Sequence, residues 1–242
     1  MALRVKHVFF DLTDTLLRVR GSVGEIYSRA AARYGLDAPA SAIDRSFGRA
    51  IAAIPQPVAP DLPEPEIRRR EFEWWRAIAR RALEPFGEFP RFEAFFAEVF
   101  ELFRTREAWE PMPGVPEVLR LLRDGGRGLG IISDMDSRLF DVFADFGIAD
   151  LFDPVCLSFR VGYKKPERRL FEAALEQAGV SADAAAHVGD NLATDVGGAL
   201  DAGLIAVHFD AHRRGGAPPA AHVVGSLAEL TALFDRLEAR DY

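Results

Sequence analysis

The stretch Val8 to Leu17, which reads VFFDLTDTLL, decides the fold of this chain. Three apolar residues lead directly into Asp11, a pattern typical of a short buried strand that ends on a carboxylate. In open sheets of parallel strands, functional side chains collect where the strands end. Asp11 therefore marks one edge of the predicted sheet as the candidate site, and other polar strand ends should lie beside it.

Beyond residue 112, short apolar strands alternate with helices that begin near proline and end at glycine. Pro116 and Gly125 bracket one such helix, and Pro166 and Gly179 bracket another. Strands that alternate with helices of about ten residues predict right-handed crossovers and a parallel sheet buried on both faces. The predicted fold class is α/β, with a Rossmann-like parallel sheet as its core.

Residues 18–110 differ, because helical periodicity continues through them with no obvious strand between the helices. The segment FEAFFAEVFELF, residues 92–103, places six apolar side chains on one stripe, and we expect EFEWWRAIARRAL, residues 71–83, to pack against it. Five prolines between residues 55 and 65 predict an extended crossing that divides the helices into two parts. The predicted division is a core of residues 1–17 and 111–242 and an all-helical insert of residues 18–110.

The composition of the 242-residue chain, 49% hydrophobic and 28% charged, provides enough apolar material for a large core. Its 30 basic and 37 acidic side chains leave a net charge of −7, so we expect no nucleic acid partner. Cys156 is the only cysteine, which excludes an internal disulfide and fits a reducing cytoplasm. Asp11 interrupts the opening apolar run too early for a signal peptide or a membrane span. We therefore expect a cytoplasmic protein with no membrane partner, and the sequence indicates no oligomeric state.

Four predicted strand ends carry polar residues. They are Asp11 after the first strand, Ser133 with Asp134 after GLGII, Lys165 before the Pro166 helix, and Asp190 at the end of AHVGD with Asp195 five residues on. Taken singly, each has an ordinary structural explanation as a helix cap, a turn residue or a solvated lysine. Together they would place several carboxylates beside one lysine, and like charges that near raise one another's pKa values. Mg²⁺ would relieve this repulsion, because it favours carboxylate and carbonyl oxygens and leaves places for substrate phosphate.

A carboxylate that attacks phosphorus forms an acyl phosphate, while a cation and a lysine neutralise the charge spread over the transferring group. The order of the four motifs resembles the haloacid dehalogenase-like hydrolase superfamily, and the resemblance covers the whole chain except the particulars of the helical insert. The matching segments are DLTDT from Asp11, Ser133 in IISD, Lys165 and Pro166 in GYKKPERRLF, and GDNLATD from Gly189 to Asp195.

The resemblance implies that Asp11 is the nucleophile, and that the helical insert is a cap that closes over the site and selects a small phosphorylated substrate. It further implies a phosphate clamp of Lys165 and Ser133 and a metal bound through Asp11, the Thr13 carbonyl and Asp190. The expected site is Asp11, Thr13 and Lys165 for catalysis; Ser133, Asp134 and Lys165 for substrate; and Asp11, Thr13, Asp190 and Asp195 for Mg²⁺. The segments EWW and DTLLRVRG also resemble the subgroup of haloacid dehalogenase-like hydrolase domain-containing proteins, whose first motif similarly lacks its second Asp.

Thr13 departs from the phosphatases of this superfamily, in which an Asp two residues after the nucleophile protonates the leaving alcohol and then activates water. A positioned acid or base contributes roughly 10²- to 10⁴-fold to a rate, so Thr13 predicts slow cleavage of alkyl phosphates and slow hydrolysis of the aspartyl phosphate. P-type ATPases of the same superfamily also place a threonine there. We therefore expect a slow or specialised Mg²⁺-dependent phosphatase that prefers aryl or acyl phosphates.

Two alternative functions stay open at this point. The superfamily's dehalogenases need no metal and have another residue at position 13, although they lack the Gly-Asp motif present in GDNLATD. A catalytically faded domain that binds a metal or ligand, or regulates another protein, is the second alternative. Asp14, where the superfamily usually has glycine, either satisfies a turn with positive φ or reaches the site in place of the missing acid. His187, inside a predicted strand, is interpreted as packed and not catalytic.

Overall fold

A computed structural model describes residues 4–57 and 62–239. The described strands are β1 His7–Phe10, β2 Leu17–Val19, β3 Trp109–Pro111, β4 Gly128–Ser133, β5 Val155–Leu157, β6 Ala185–Gly189, β7 Ile205–Phe209 and β8 His222–Val224. The described α-helices are α1 Val23–Arg33, α2 Ala40–Ala53, α3 Glu64–Leu83, α4 Phe92–Leu102, α5 Val115–Asp124, α6 Arg138–Phe146, α7 Ser158–Val161, α8 Arg168–Ala178, α9 Gly198–Asp201 and α10 Glu229–Glu238. Short 3₁₀ turns cover Glu84–Phe86, Ala149–Leu151 and Ala182–Ala184, and a wide π-helical turn covers Leu192–Gly197.

Six strands form one sheet in the order β5-β4-β1-β6-β7-β8, and every neighbouring pair is parallel. The first strand, β1, lies inside the sheet, with Phe10 in register with Ile131 of β4 and Val188 of β6. The strands β2 and β3 form a separate two-stranded sheet. The predicted α/β class with a Rossmann-like parallel sheet is confirmed.

Apolar packing on both faces holds the sheet in place. All four residues of β1 are buried, and a Cβ atom on Gly130 of β4 would lie 2.7 Å from the Phe9 ring. Helix α8 turns Leu170 and Phe171 into the core, as its 3.6-residue periodicity predicts. The ends of the central strands are therefore fixed points, where side chains can be positioned accurately.

Two edge elements of the sheet escaped prediction. The strands β5 and β8 each contain three residues, which is too short for an alternating pattern to stand out from a loop. They are strands because a neighbour pairs with them, and such pairing is not visible in local sequence.

Contacts divide the chain into two compact units. The core unit contains Met1–Arg18, Pro111–Met135 and Gly147–Tyr242, and the helical unit contains Val19–Glu110 and Asp136–Phe146. Helix α6 thus packs with the helical unit, although the predicted core included its residues. The division into a core and a cap stays a prediction.

Aromatic side chains form the interior of the helical unit. Phe72 of α3 contacts Phe96 and Phe100 of α4 edge to face, with ring centroids 5.1 and 4.9 Å apart. The predicted packing of residues 71–83 against residues 92–103 is confirmed. Tyr27 of α1 also contacts this stripe through Phe95, so α4 is covered from two sides. Part of the predicted proline-rich crossing, residues 58–61, lies outside the described residues.

Buried polar groups connect α6 to α3 within the helical unit. Glu71 accepts hydrogen bonds from the backbone and hydroxyl of Ser137, directly before α6 begins. Asp136 accepts from Arg138 and from the Trp75 indole, so its buried charge is fully paired. These bonds explain why the segment after β4 joins the helices.

Among the described residues, no helix combines the length and the apolar character that a membrane crossing requires.

Candidate active site

Three neighbouring strands bring the predicted motifs to one edge of the core unit. Asp11 follows β1 directly, and its backbone N–H donates to the Val188 carbonyl of β6 over 2.9 Å. Ser133 ends β4 on the other side of β1, and Asp190 follows β6. Asp11 is 7% exposed, so its carboxylate is buried at this edge of the sheet.

Lys165 lies between two of the aspartates. Its Nζ atom donates to Asp11 Oδ1 over 2.5 Å and to Asp195 Oδ1 over 2.6 Å, and the residue is 6% exposed. Burial alone would lower the pKa of Lys165, but the surrounding carboxylates, led by Asp11 and Asp195, raise it above the ordinary lysine value. Lys165 therefore stays an ammonium, and it neutralises part of the acidic charge.

Asp195 is held from several directions. Besides Lys165, its Oδ1 atom lies 3.1 Å from His187 Nε2, and its Oδ2 atom accepts from the Asn191 backbone N–H. Burial alone would raise the pKa of Asp195, but Lys165 and His187 hold it below its usual range. Gly189 is required beside it, because a Cβ atom there would lie 2.3 Å from the Asp195 carboxyl carbon. Asp195 is thus an ionised carboxylate in a fixed orientation.

Asp11, Asp190 and Asp195 form an acidic cluster in which one oxygen from each lies within 4.8 Å of the others. Burial, and then the charges of Asp11 and Asp195, raise the pKa of Asp190 to about 7. Burial raises the pKa of Asp11 as well, with Lys165 opposing the shift and Asp195 adding to it. Hard oxygen donors with uncompensated negative charge fit a divalent cation such as Mg²⁺. These three carboxylates could therefore hold a metal ion.

Ser133 and Asp134 have hydrogen-bond partners within the core unit, and Asp134 contacts Lys165. The buried Ser133 hydroxyl accepts from the Met135 backbone N–H over 3.3 Å. Asp134 Oδ1 accepts from the Lys165 backbone N–H over 3.1 Å, and burial raises the pKa of Asp134. Asp134 therefore holds the backbone of the predicted phosphate clamp, whatever further contact its side chain makes.

The residues after Asp11 turn sharply. Asp14 adopts a left-handed φ of 60° and donates its backbone N–H to the Leu17 carbonyl over 2.7 Å. Thr13 is exposed and forms a bridge with Leu17. Aspartate tolerates this left-handed region better than most residues, and the turn with positive φ expected at Asp14 is present.

Two buried histidines form hydrogen bonds to residues of the acidic cluster. The sequence did not indicate these contacts. His187 is packed, as interpreted, but its Nε2 atom also faces Asp195. His208 of β7 places Nε2 3.1 Å from the Asp190 carbonyl. The Asp195 carboxylate and the Asp190 carbonyl can only accept, so the hydrogen bonds at Nε2 require a proton on Nε2 in both rings. Nδ1 of each ring is buried without a hydrogen-bond partner among the described residues. The role of His208 follows from its register, because it lies opposite Gly189 on the neighbouring strand. This register can be read only when the order of the strands is known.

Comparison with known proteins places this geometry in a family. The family model described as "Hydrolase: haloacid dehalogenase-like hydrolase" matches residues 5–203, which include every residue of the predicted site. The chain belongs to the haloacid dehalogenase-like hydrolases. The predicted hydrolase class is thereby confirmed.

Relatives of this haloacid dehalogenase-like hydrolase cover between 70% and 98% of its length. Human haloacid dehalogenase-like hydrolase domain-containing protein 3 is 29% identical over 244 residues, covering 98% of this chain and 96% of the human protein. The pyrimidine 5'-nucleotidase YjjG of Escherichia coli strain K12 is 34% identical over 175 residues, covering 70% of this chain and 72% of that protein. A solved phosphatase of the same family from Thermococcus onnurineus has a TM-score of 0.60 at 25% identity, covering 94% of this chain and 97% of that one. The predicted resemblance is confirmed at the level of both fold and family.

Proposed function

We propose that this hydrolase is a Mg²⁺-dependent phosphatase that acts on a small phosphorylated molecule through an aspartyl phosphate on Asp11. The observation that carries the proposal is the placement of the Lys165 ammonium between Asp11 and Asp195 at the carboxyl end of β1. A buried carboxylate beside a fixed ammonium suits attack on a phosphoryl group, whose negative charge the ammonium then stabilises.

The metal would be held by Asp11, Asp190, Asp195 and the Thr13 carbonyl. Hydrolases of this family generally use Mg²⁺, and the acidic cluster provides the hard oxygen donors that it requires. When bound, the ion supplies positive charge beside the transferring phosphoryl group. Asp195 already accepts from Lys165, His187 and Asn191, so it has the least remaining capacity for a ligand bond.

In the first step, a carboxylate oxygen of Asp11 bonds to phosphorus as the bond from phosphorus to the leaving oxygen breaks. The products are an acyl phosphate on Asp11 and the leaving group as its alkoxide or, after proton uptake, its alcohol. Lys165 and the Ser133 hydroxyl donate to the phosphoryl oxygens. In the second step, water attacks phosphorus, and Asp11 leaves as a carboxylate with inorganic phosphate as the product.

Thr13 limits both steps in this proposal, because its hydroxyl is not an acid or base near neutral pH. The leaving oxygen must be a good leaving group or take its proton from solvent, and the attacking water lacks a positioned base. Aryl and acyl phosphates should therefore be better substrates than alkyl phosphates. The E. coli relative is named for cleaving pyrimidine nucleotides, which supports a small phosphate monoester as the substrate class.

The helical unit is the natural candidate for the cap that selects the substrate, with the core unit carrying the chemistry. We propose a cytoplasmic enzyme without a nucleic acid or membrane partner, in line with its net charge of −7.

A substrate panel tests the proposed function. Purified full-length protein should hydrolyse acetyl phosphate and phenyl phosphate with Mg²⁺, lose this activity with EDTA, and hydrolyse ethyl phosphate far more slowly. Halide release from 2-chloropropionate without metal would support a dehalogenase instead. Tight, metal-dependent binding of a phosphate with no turnover of any panel member would support a binding domain. The Asp11→Asn variant is the control, because it keeps the shape of the side chain and removes the nucleophile.

A further inference from the structure

A cavity of about 700 Å³ opens beside the acidic cluster, entirely within the core unit. Asp190 belongs to both, and Asp14 lines the cavity next to it. The loop that follows β7 also lines the cavity, through residues 210–212, 214 and 215. A volume of this size lies in the range of small-molecule sites. A group bound at the acidic cluster could therefore extend into this cavity.

The loop of residues 210–215 has a defined conformation. The two carboxylate oxygens of Asp210 accept from the backbone N–H groups of Arg214 and Gly215 over 2.9 and 2.8 Å. Arg213, directly before these two donors, adopts a left-handed φ of 52°, which is uncommon for any residue other than glycine. Left-handed non-glycine residues concentrate at functional sites, so this one calls for a reason.

The turn at Arg213 separates two neighbouring arginines. The Arg213 guanidinium lies over Gly225, where a Cβ atom would be 3.0 Å from Nη2, and 3.9 Å from Glu229. Arg214, the next residue, lines the cavity together with His212. One arginine thus lies beside Gly225 and Glu229, and the other is a lining residue of the cavity.

Both acidic and basic residues line the cavity. The wall at the acidic cluster carries Asp14 and Asp190, of which Asp190 is a candidate metal ligand. The Asp210 carboxylate is bound to backbone N–H groups of its own loop. Arg214 and His212 belong to the loop and can contact an anion, and Arg18 is a further cationic residue that lines the cavity.

On the basis of the proposed function, we propose that this cavity binds the leaving group of the phosphorylated substrate, and that Arg214 and His212 select leaving groups with a second anionic group. The phosphoryl group would lie at the acidic cluster and the second anion, a carboxylate or a phosphate, at the loop. This assigns a substrate class, phosphate monoesters that carry a further acidic group, and a specificity determinant outside the family motifs.

Three aryl phosphates test this inference: phenyl phosphate, 4-carboxyphenyl phosphate and hydroquinone bisphosphate. With Mg²⁺ and full-length protein, the Arg214→Ala variant should lose about tenfold in kcat/KM for the two probes that carry a second anionic group, mainly through KM, since a charge-assisted hydrogen bond is lost. Phenyl phosphate should change by less than about twofold. Comparison of 4-carboxyphenyl phosphate with hydroquinone bisphosphate shows whether the loop prefers a carboxylate or a phosphate.

Arg213→Asn is the matched control, because asparagine tolerates the left-handed turn and the altered side chain faces Gly225. It should leave all three probes within about twofold of the unaltered protein. Equal losses on all probes in Arg214→Ala, or no loss on any, would overturn the inference. If the protein hydrolyses none of the probes, calorimetric binding of phenyl and 4-carboxyphenyl phosphate decides separately. If the carboxylated probe binds more tightly than phenyl phosphate and this difference depends on Arg214, the cavity assignment is supported although the phosphatase proposal fails. If the two probes bind equally, both proposals are overturned.

Discussion

The Nζ atom of Lys165 lies 2.5 Å from Asp11 Oδ1, and both side chains are more than nine-tenths buried. Asp11 comes from the first strand and Lys165 from a loop 154 residues later, so the fold itself creates the pair. A carboxylate that is both buried and neutralised in this way can serve as a nucleophile without being exposed to bulk water. The proposed chemistry depends on this pair.

Replacing Lys165 by methionine should affect stability and catalysis together. The change leaves buried carboxylates without their cation, so we expect a loss of about 3 kcal/mol or more in the free energy of unfolding. Turnover of acetyl phosphate should fall by at least about 10²-fold, because the charge that stabilises the phosphoryl group is gone. Urea unfolding and steady-state kinetics measure the two effects. Lys164→Met, at the exposed neighbouring lysine, is the control and should change neither by much.

His187 should act as a positioning residue through Asp195. Replacing it by leucine removes the donor that faces Asp195 Oδ1, so Lys165 loses part of its orientation. We expect kcat to fall by about tenfold with little change in KM, and His187→Asn, which keeps an N–H donor, to recover part of the loss. His7→Leu is the matched control, because His7 is also a buried strand histidine but lies at the start of β1. Equal kcat values in His187→Leu and His7→Leu would show that His187 only fills space.

Thr13→Asp should raise turnover of alkyl phosphates. The change restores a carboxyl group that can protonate the leaving oxygen, so ethyl phosphate hydrolysis should increase by up to about 10²-fold and phenyl phosphate hydrolysis by less. Asp14→Asn should change either rate little, because Asp14 serves a left-handed turn that asparagine also adopts. A large loss in Asp14→Asn would mean that Asp14 takes part in proton transfer.

His7 should make the folded protein sensitive to acid. Burial, partly opposed by Asp153, lowers the pKa of His7 from 6.5 to about 4. Between these values the unfolded chain binds a proton that the folded chain rejects, so stability falls as the pH decreases from about 6.5 to about 4. The loss attributable to His7 is at most about 3.4 kcal/mol, from 1.36 kcal/mol for each pH unit. Urea unfolding of the unaltered protein and His7→Leu at pH 7.5, 5.5 and 4.5 should show a difference between them that changes with pH. A constant difference would rule out this contribution.

Much of this architecture could be predicted from local sequence. The apolar run before Asp11, the proline and glycine boundaries of α5 and α8, and the polar residues at strand ends each carry their signal within a few positions. The aromatic stripe of α4 likewise predicted its partner α3, because helical periodicity is a strong local pattern.

Long-range pairing explains what the sequence did not predict. The three-residue strands β5 and β8 exist because neighbours pair with them, and the roles of His187 and His208 depend on which residues lie beside β6 and β7. Helix α6 follows the core strand β4, yet it packs with α3 through Glu71 and Asp136. The left-handed Arg213 is a further example, since no local pattern distinguishes it from Arg214.

The central claim is that Asp11 forms a covalent aspartyl phosphate. The most direct measurement is mass spectrometry after the protein is incubated with acetyl phosphate and Mg²⁺ and then treated with borohydride, which reduces an acyl phosphate to an alcohol. The account predicts homoserine at position 11 in the phosphate-treated sample and none after EDTA treatment or in Asp11→Asn. Hydrolysis of acetyl phosphate with unmodified Asp11, or with the reduced residue at another aspartate, would contradict it.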